Sequence, residues 1–170
     1  MAHDDLSERD EEPSEGSWVY VSGPMQVPDS SAAKDLYDRL AEACQASGWH
    51  VYRPYAEPRD PGASETLTSR LRHALGHADA CVFYIGKPSS GVGMEVAWAV
   101  EHGRPVVAVQ LHGEEASPLL TSLLSGYDRA ALLLCADPVD CAEKVRQTLS
   151  SPEWHEVLRA AGAELAEELQ

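Results

Sequence analysis

The chain has 170 residues, of which 44% are hydrophobic, and this is enough apolar material for the core of one domain. Its formal net charge is −15 at pH 7, so its surface would repel nucleic acids and anionic membranes. The sequence contains no run of about 18 apolar residues, and its acidic start is unlike a signal peptide. These features predict a cytoplasmic protein that binds neither nucleic acid nor a membrane.

Three regions differ in composition. In residues 1–16 acidic side chains far outnumber the single basic one, Arg9, and little there could be buried, so we expect a disordered acidic tail. Residues 17–150 are expected to form one α/β domain. Residues 151–170 predict an amphipathic helix that packs on that domain or at a dimer interface.

From Trp18 onward, short apolar runs alternate with segments of helical periodicity. "WVYVSG" predicts a first strand, and the following segment predicts a helix with Leu36, Leu40 and Ala43 on one face. "HVYRPY" predicts a second strand, and "EPRDPGAS" predicts a long loop. A helix in "ETLTSRLRHALGHA" then leads into a third strand, "ACVFYI".

The second half continues this alternation. "GKPSSGVGMEVAWAVEHGRPVVAV" predicts a loop, a helix from about Gly91 to His102 and a fourth strand. "SPLLTSLLSGYDR" predicts a weaker helix, "AALLLCA" a fifth strand, and "DPVDCAEKVRQTLS" a helix capped by Asp137.

The final segment carries an apolar stripe at helical spacing. Its members are Trp154, Val157, Leu158, Ala161 and Leu165. Five strands joined by helices are typical of an α/β protein. The sequence therefore predicts a flavodoxin-like or Rossmann-like three-layer sandwich with a five-stranded parallel sheet.

In such sheets ligands bind beyond the carboxyl ends of the strands, near the point where the strand order reverses. Two segments are expected to meet there. One is "SGPM" after the first strand, which makes Gly23, Pro24 and Met25 candidates for substrate binding. The other is "GKPSSGVGME" after the third strand.

The second segment has features of a ligand-binding loop. Gly91 and Gly93 are expected to allow a tight turn and close approach of a ligand. The first amides of the following helix favour an anion, and Ser89 and Ser90 add hydroxyl groups. The glycine spacing matches neither a P-loop nor a dinucleotide fingerprint, so no cofactor is predicted.

Glu95 follows the two glycines, which would bring a substrate close to its carboxylate. The pattern leaves two interpretations open. Glu95 is a catalytic carboxylate, or it is an acid in the first helical turn that only complements the helix dipole.

His73 and His77 lie four residues apart on a predicted helix, which is the spacing of metal ligands. No acid or cysteine joins them, and Gly76 intervenes. We therefore predict no metal site.

Two segments, "VYVSGPM" and "HADACVFYIGKPSSGVGMEVAWAVEHGRPVVAV", resemble the nucleoside 2-deoxyribosyltransferase superfamily over about Val19 to Asp128. This superfamily includes 2′-deoxynucleoside 5′-phosphate N-hydrolases and CMP hydrolases. The resemblance implies that the glutamate of a Gly-x-Gly-x-Glu motif, here Glu95, attacks C1′ and forms a covalent glycosyl-enzyme. A carboxylate suits that role because the transition state resembles an oxocarbenium ion.

The resemblance also assigns roles to other residues. Tyr20 corresponds to a tyrosine that orients the glutamate or the sugar, although a strand aromatic that packs on a helix is an equal interpretation. Ser89 corresponds to a phosphate-contacting serine. Thr121, with Ser122 beside it, corresponds to a hydroxyl from a neighbouring subunit. Relatives are dimers or larger oligomers, so a homo-oligomer, with a dimer as the first choice, is implied.

Two positions depart from the family pattern. The acid that helps to protonate the departing base falls on Leu71, and an arginine that contacts the phosphate falls on Gln26. Asp79 is more typical of a capping or loop residue than of a replacement acid. The candidates for that replacement, from the long loop or its end, are Glu57, Asp60 and Glu65.

The sequence therefore predicts an N-glycosidic bond hydrolase or transferase that acts on a nucleoside or nucleoside 5′-monophosphate. One alternative, favoured by Leu71, is a catalytically silent nucleotide-binding module of the same fold. Another is a subunit that completes the site of an active paralogue.

Overall fold

The structure, a computed structural model, describes residues 16–25, 30–56 and 64–168. Within these ranges the side chains of residues 30, 64–66 and 163–168 are not described. The predicted acidic tail lies outside the described residues except for Gly16. Gln26, Glu57 and Asp60 also lie outside them.

Five strands run through the described part of the chain: β1 (Trp18–Ser22), β2 (His50–Tyr52), β3 (Ala80–Tyr84), β4 (Val106–Leu111) and β5 (Ala130–Cys135). Helices connect or follow them: α1 (Ser30–Ala46), α2 (Ser64–His77), α3 (Ser90–Glu101), α4 (Pro118–Ser125), α5 (Pro138–Leu149) and α6 (Pro152–Glu168). β2 is shorter than predicted because a 3₁₀ turn at Pro54–Ala56 follows it, and a proline has no N–H to donate to a strand neighbour. No helix within these ranges combines bilayer-spanning length with a sufficiently apolar sequence.

All strand pairs are parallel, and the strand order is β2-β1-β3-β4-β5. The five-stranded parallel sheet and the α/β fold class are thus confirmed. This order is the flavodoxin-like one, and it reverses between β1 and β3. A ligand is therefore expected beyond the carboxyl ends of β1 and β3.

The sheet separates two apolar cores. Because side chains alternate along a strand, Val19 and Val21 of β1 pack with Leu40 of α1 on one face. Tyr20 points to the other face and packs with Val96 of α3. Helices α1, α5 and α6 cover the first face, and α2, α3 and α4 cover the second, which makes three layers.

Helix α6 buries the apolar stripe of the C-terminal segment. Trp154 is 5% exposed and belongs to the core cluster shared by α1 and α5. Val157 and Leu158 pack against the same cluster, and Ala161 is buried. The side chain of Leu165 lies outside the described residues. In this chain the stripe thus covers the first face of the sandwich.

This packing predicts the effect of truncating Trp154. Trp154→Ala should lower the free energy of unfolding by about 3–5 kcal/mol, because it leaves a cavity in the core. Urea denaturation measures the change. Glu156→Ala, on the exposed side of α6, is the matched control and should cost less than about 0.5 kcal/mol. Equal midpoints for the two variants would mean that α6 does not stabilise the domain.

Candidate active site

Helix α3 carries Glu95 in its second turn. The helix begins at Ser90, and its first turn contains no acidic residue. The favourable effect of the helix dipole on a carboxylate falls off within the first turn. The interpretation of Glu95 as a first-turn acid that complements the dipole is therefore wrong, because Glu95 is the sixth residue of the helix.

Glu95 lies on the face of α3 that packs on the sheet. Val92, Val96 and Ala99 are the buried residues of this helix, and a residue three positions after Val92 shares their face. Tyr20 and Ser22 alternate on β1 with Val21, so both point toward the layer that contains α3. The Glu95 carboxyl consequently meets two hydroxyl groups at the carboxyl end of β1.

The surroundings of Glu95 disfavour its charged form. Burial raises its pKa to about 7, and the nearby Ser22 and then Tyr20 hydroxyls lower it against this larger effect. Burial, followed by the charge of Glu95, raises the pKa of Tyr20. Among the described residues, Glu95 Oε2 and Tyr20 Oη are buried atoms without a hydrogen-bond partner. The site thus holds a carboxyl whose neutral form is favoured by burial.

A residue of α1 holds the loop after β1 in place. Tyr37 Oη donates to the carbonyl oxygen of Pro24 over 2.7 Å, and a Cβ at Gly23 would overlap the Tyr37 ring. Gly23 therefore has a structural reason for being a glycine. Met25 is exposed.

A cleft of about 330 Å³ lies beside this loop. Its lining is formed by Pro24, Met25, Ser31, Ala33, Lys34, Tyr37 and Tyr55. In the part of the chain that the structure describes, this lining does not include Glu95. The cleft and the carboxyl are thus separate features on either side of the loop.

The loop after β3 leads into α3. Ser89 caps the helix, and its hydroxyl oxygen accepts from the Val92 N–H over 3.3 Å. A hydroxyl that accepts one bond still has a proton to donate. Ser90 is exposed and begins the helix. Ser89 is therefore a structural cap that remains able to bind an anionic ligand.

The two glycines of the Gly-x-Gly-x-Glu segment lie inside α3. Gly91 and Gly93 are not among the described glycines with positive φ, so the interpretation that they form a tight turn is wrong. A Cβ at Gly93 would meet no atom within 4 Å, and one at Gly91 would lie 3.7 Å from Ser89 Oγ. Internal packing does not require a glycine at either position.

Glu114, which the sequence analysis missed, anchors the loop after β3. Its carboxylate accepts a hydrogen bond from Tyr84 Oη and one of 3.1 Å from the Leu111 N–H, and it lies 3.4 Å from Lys87 Nζ. A Cβ at Gly86 would overlap this carboxylate. These contacts engage the Glu114 carboxylate and hold the loop in place. A glycine directly after a strand is the sequence signal of such close approach.

Ser22 is the second residue that the sequence analysis missed. It is the last residue of β1 and is 1% exposed. A serine in a buried strand needs a hydrogen-bond partner, and this was the available signal. The partner could be identified only from the tertiary structure, because Glu95 lies 73 positions later in the numbering.

The remaining predicted residues have local partners. Thr121 Oγ1 donates to the carbonyl oxygens of Ser117 and Pro118 in its own helix, over 3.3 and 3.1 Å. Leu71 packs against the second core cluster. The side chain of Glu65 lies outside the described residues. A role for Thr121 across a subunit interface stays a prediction.

The His73 and His77 rings lie against each other, with their centroids 4.1 Å apart. His77 Nδ1 is 2.8 Å from the carbonyl oxygen of His73. Among the described residues, no three histidine, cysteine, aspartate or glutamate side chains are grouped so that they could hold a metal ion.

The fold defines an α/β sandwich protein with a buried carboxyl at the strand-order reversal. The sequence matches the nucleoside 2-deoxyribosyltransferase family over residues 19–158, and the chain belongs to this family. A relative from Thermofilum pendens, named a 2′-deoxynucleoside 5′-phosphate N-hydrolase, is 25% identical over 138 residues. That alignment covers 77% of this chain and 94% of the relative.

Two solved structures share the fold. A CMP N-glycosidase from Clostridium botulinum, BcmB, superposes with a TM-score of 0.60 at 16% identity, over 76% of this chain and 98% of its own. A conserved protein from Enterococcus faecalis V583 gives a TM-score of 0.52 at 18% identity, over 78% of this chain and 98% of its own. At these identities the likeness concerns the three-layer fold.

The raised pKa of Glu95 predicts a pH-dependent gain in stability for Glu95→Gln. Because the folded-state pKa of about 7 exceeds the unfolded-state value, the folded protein binds this proton more tightly. The wild type therefore loses stability as pH rises from about 4.5 to about 7. Glu95→Gln avoids this loss and should be more stable above pH 7 by up to about 3 kcal/mol.

Urea denaturation at pH 4.5 and pH 8 measures this difference. Little difference is expected at the lower pH, where Glu95 is mostly protonated. Glu101→Gln, at the exposed end of α3, is the control and should follow the wild type at both pH values. A constant effect of Glu95→Gln across the range would contradict the raised pKa.

Proposed function

We propose that this chain cleaves the N-glycosidic bond of a nucleoside or nucleoside 5′-monophosphate, with Glu95 as the nucleophile. One observation carries the proposal. The carboxyl of Glu95 is turned inward from α3, beside the hydroxyls of Tyr20 and Ser22, at the position where this sheet order favours a ligand. Family membership is consistent with this chemistry.

The proposed reaction has two displacements at C1′. In the first, a carboxylate oxygen of Glu95 bonds to C1′ while the C1′–N bond breaks, and the bonding electron pair leaves with the base. In the second, water or an acceptor base attacks C1′ while the C1′–O bond to Glu95 breaks, and the attacking group gives its proton to the acid that protonated the departing base in the first step. Hydrolysis and transfer differ only in that acceptor. Tyr20 orients the glutamate or the sugar in both steps.

The departing base nitrogen needs a proton, and Leu71 cannot supply it. Glu114 is occupied by Tyr84, Leu111 and Lys87, so it is a poor donor. We retain Glu57, Asp60 and Glu65 as the candidates for this acid. Glu57 and Asp60 belong to the segment between β2 and α2, and Glu65 lies at the start of α2.

We propose that Ser89, Ser90 and the N-terminus of α3, around Gly91 and Gly93, bind the anionic part of the substrate. The amides of a helix N-terminus favour an anion, and Ser89 retains a proton to donate. Gly23, Pro24 and Met25 are proposed to contact the substrate from the first loop. The names of one relative and of one structural neighbour, a 2′-deoxynucleoside 5′-phosphate N-hydrolase and a CMP N-glycosidase, favour a 5′-monophosphate.

A second candidate function is a catalytically silent nucleotide-binding module. The observation that favours it is Leu71, a half-buried residue that packs against the second core cluster at the position of the family's proton donor. A third is a subunit that completes the site of an active paralogue. Both alternatives predict binding without base release by the pure protein.

The enzyme proposal predicts base release that depends on Glu95. The pure protein should release free base from at least one member of a panel of ribo- and deoxyribonucleosides and their monophosphates, with and without an acceptor base. Chromatography of the products identifies the base and separates hydrolysis from transfer. Glu95→Gln should lower the rate by at least about a thousandfold, since the covalent step requires a carboxylate.

The pH profile is a further part of this prediction. The plot of log kcat/KM should rise with pH up to an inflection near the Glu95 pKa of about 7 and then level, because the ionised carboxylate is the reactive form. Glu101→Gln is the control and should keep wild-type activity. Binding of a panel member with no release of base would contradict the enzyme proposal and favour the silent module.

We also propose that the protein is a cytoplasmic homodimer. Leu119 and Leu123 lie one turn apart on α4 and are 81% and 38% exposed. Leu132 and Leu134 of β5 are also exposed, and strand alternation places them on the α4 side of the sheet, because Ala130 packs in that core. An exposed apolar surface of this kind favours burial against a second copy. Thr121 lies on the same helix.

This proposal predicts that charge on α4 separates the subunits. Leu119→Lys combined with Leu123→Lys should convert a dimer into a monomer in light scattering coupled to size-exclusion chromatography, because each lysine would have to be desolvated in the interface. Val139→Lys, at an exposed apolar position on α5, is the control and should leave the dimer intact. A wild-type mass of one chain would overturn the dimer proposal.

A further inference from the structure

Ser22 stands apart from the other buried residues. In the part of the chain that the structure describes, the buried residues are hydrophobic except for Ser22, which is 1% exposed. A buried hydroxyl without a hydrogen bond destabilises a protein, because it has lost its bonds to water. Ser22 is therefore expected to have a hydrogen-bond partner that offsets the cost of its burial.

The position of Ser22 on β1 limits where its hydrogen-bond partner can lie. Its neighbour on one side is β3, where Ser22 pairs with Phe83. The pairing of β1 with β2 ends earlier, at Tyr20 and Tyr52. Because side chains alternate along a strand, the Ser22 side chain points away from the core that contains Val21 and toward the layer that contains α3. Glu95 is the polar residue on the sheet-facing side of that helix.

Glu95 needs such a donor, because its other surroundings oppose ionisation. Among the described residues no lysine or arginine acts on its pKa, and the groups that lower it are the Ser22 and Tyr20 hydroxyls. The titratable groups that face it are Tyr20 of β1 and Cys81 of β3. Burial raises the pKa of each, with the charge of Glu95 adding to the effect, so both are neutral near pH 7.

The Tyr20 ring is held by its neighbours. It packs against Tyr52 and Phe83, with centroid distances of 5.5 and 5.8 Å, and its hydroxyl forms no hydrogen bond of ordinary geometry in the described structure. A serine side chain is shorter and can rotate its hydroxyl proton toward a carboxylate. Ser22 is thus the better placed donor of the two.

We propose that Ser22 is a positioning residue whose hydroxyl donates a hydrogen bond to the Glu95 carboxylate, holding it ionised and oriented at the end of β1. Its catalytic consequence rests on the proposed function of Glu95, whereas the hydrogen bond itself does not. No proton is transferred, and Ser22 does not contact the substrate.

The direct test is a titration of the Glu95 carboxyl carbon by 13C NMR in protein labelled at its glutamates. The resonance is identified by its absence in Glu95→Gln. In Ser22→Ala the titration midpoint should rise by about one to two pH units, since a hydrogen bond to a charged group is lost. Ser22→Cys keeps a similar size with a weaker donor, so it should also raise the midpoint and serves if Ser22→Ala does not fold.

Activity gives the second readout. At pH 7, Ser22→Ala should lower kcat/KM roughly 5- to 50-fold, because a smaller fraction of Glu95 is ionised. The loss should shrink as pH rises, with little change in KM. Ser47→Ala is the control, since the Ser47 hydroxyl donates to the Ala43 carbonyl in α1 over 3.0 Å. It should leave both the midpoint and the pH profile unchanged.

The two readouts separate the two claims. An unchanged midpoint in both Ser22 variants overturns the role of Ser22, whether or not the protein releases any base. A raised midpoint in a protein that releases no base supports the hydrogen bond and refutes the proposed reaction. A pH-independent loss of activity with an unchanged midpoint would make Ser22 a packing residue.

Discussion

The constraint on which this structure depends is the burial of a carboxyl group against the end of β1. Helix α3 packs on the sheet through Val92, Val96 and Ala99, and Glu95 lies on the same face. Burial raises its pKa, and two hydroxyls oppose this effect without reversing it. A hydrophobic residue at position 95 would satisfy the packing better. Retention of a carboxyl that disfavours its own charge is typical of functional sites, where stability is lower than the fold would allow.

Each of the two loops beside this carboxyl is held in place by a side chain from another element. Tyr37 of α1 donates to the Pro24 carbonyl, and Glu114, which follows β4, clamps the loop that contains Gly86 and Lys87. In each case a side chain from a different element fills the space that a glycine leaves open. A site on rigid strand ends with supported loops keeps its geometry when a ligand binds. Tyr37 and Glu114 therefore matter to the geometry of the site as much as the residues that face it.

The proposed reaction divides between two parts of the chain. In this proposal the described residues supply the attacking carboxylate and the hydroxyls beside it at the strand-order reversal. The proposed proton for the departing base comes from elsewhere, because Leu71 is apolar and packs against the second core cluster and the carboxylate of Glu114 is occupied. In this chain the proposed proton donors lie in the segment between β2 and α2 or at the start of α2.

The sequence by itself determined the fold class, because alternating strand and helix periods have one common solution, a parallel sheet covered on both faces. It also made Glu95 a candidate, since a glutamate follows two glycines in an otherwise apolar helix. The structure placed Glu95 in the second turn of α3 rather than the first. The sequence could not identify Ser22 or Glu114, whose roles depend on partners distant in sequence. Tertiary structure decided these roles, because hydrogen bonds and burial are properties of neighbours in space.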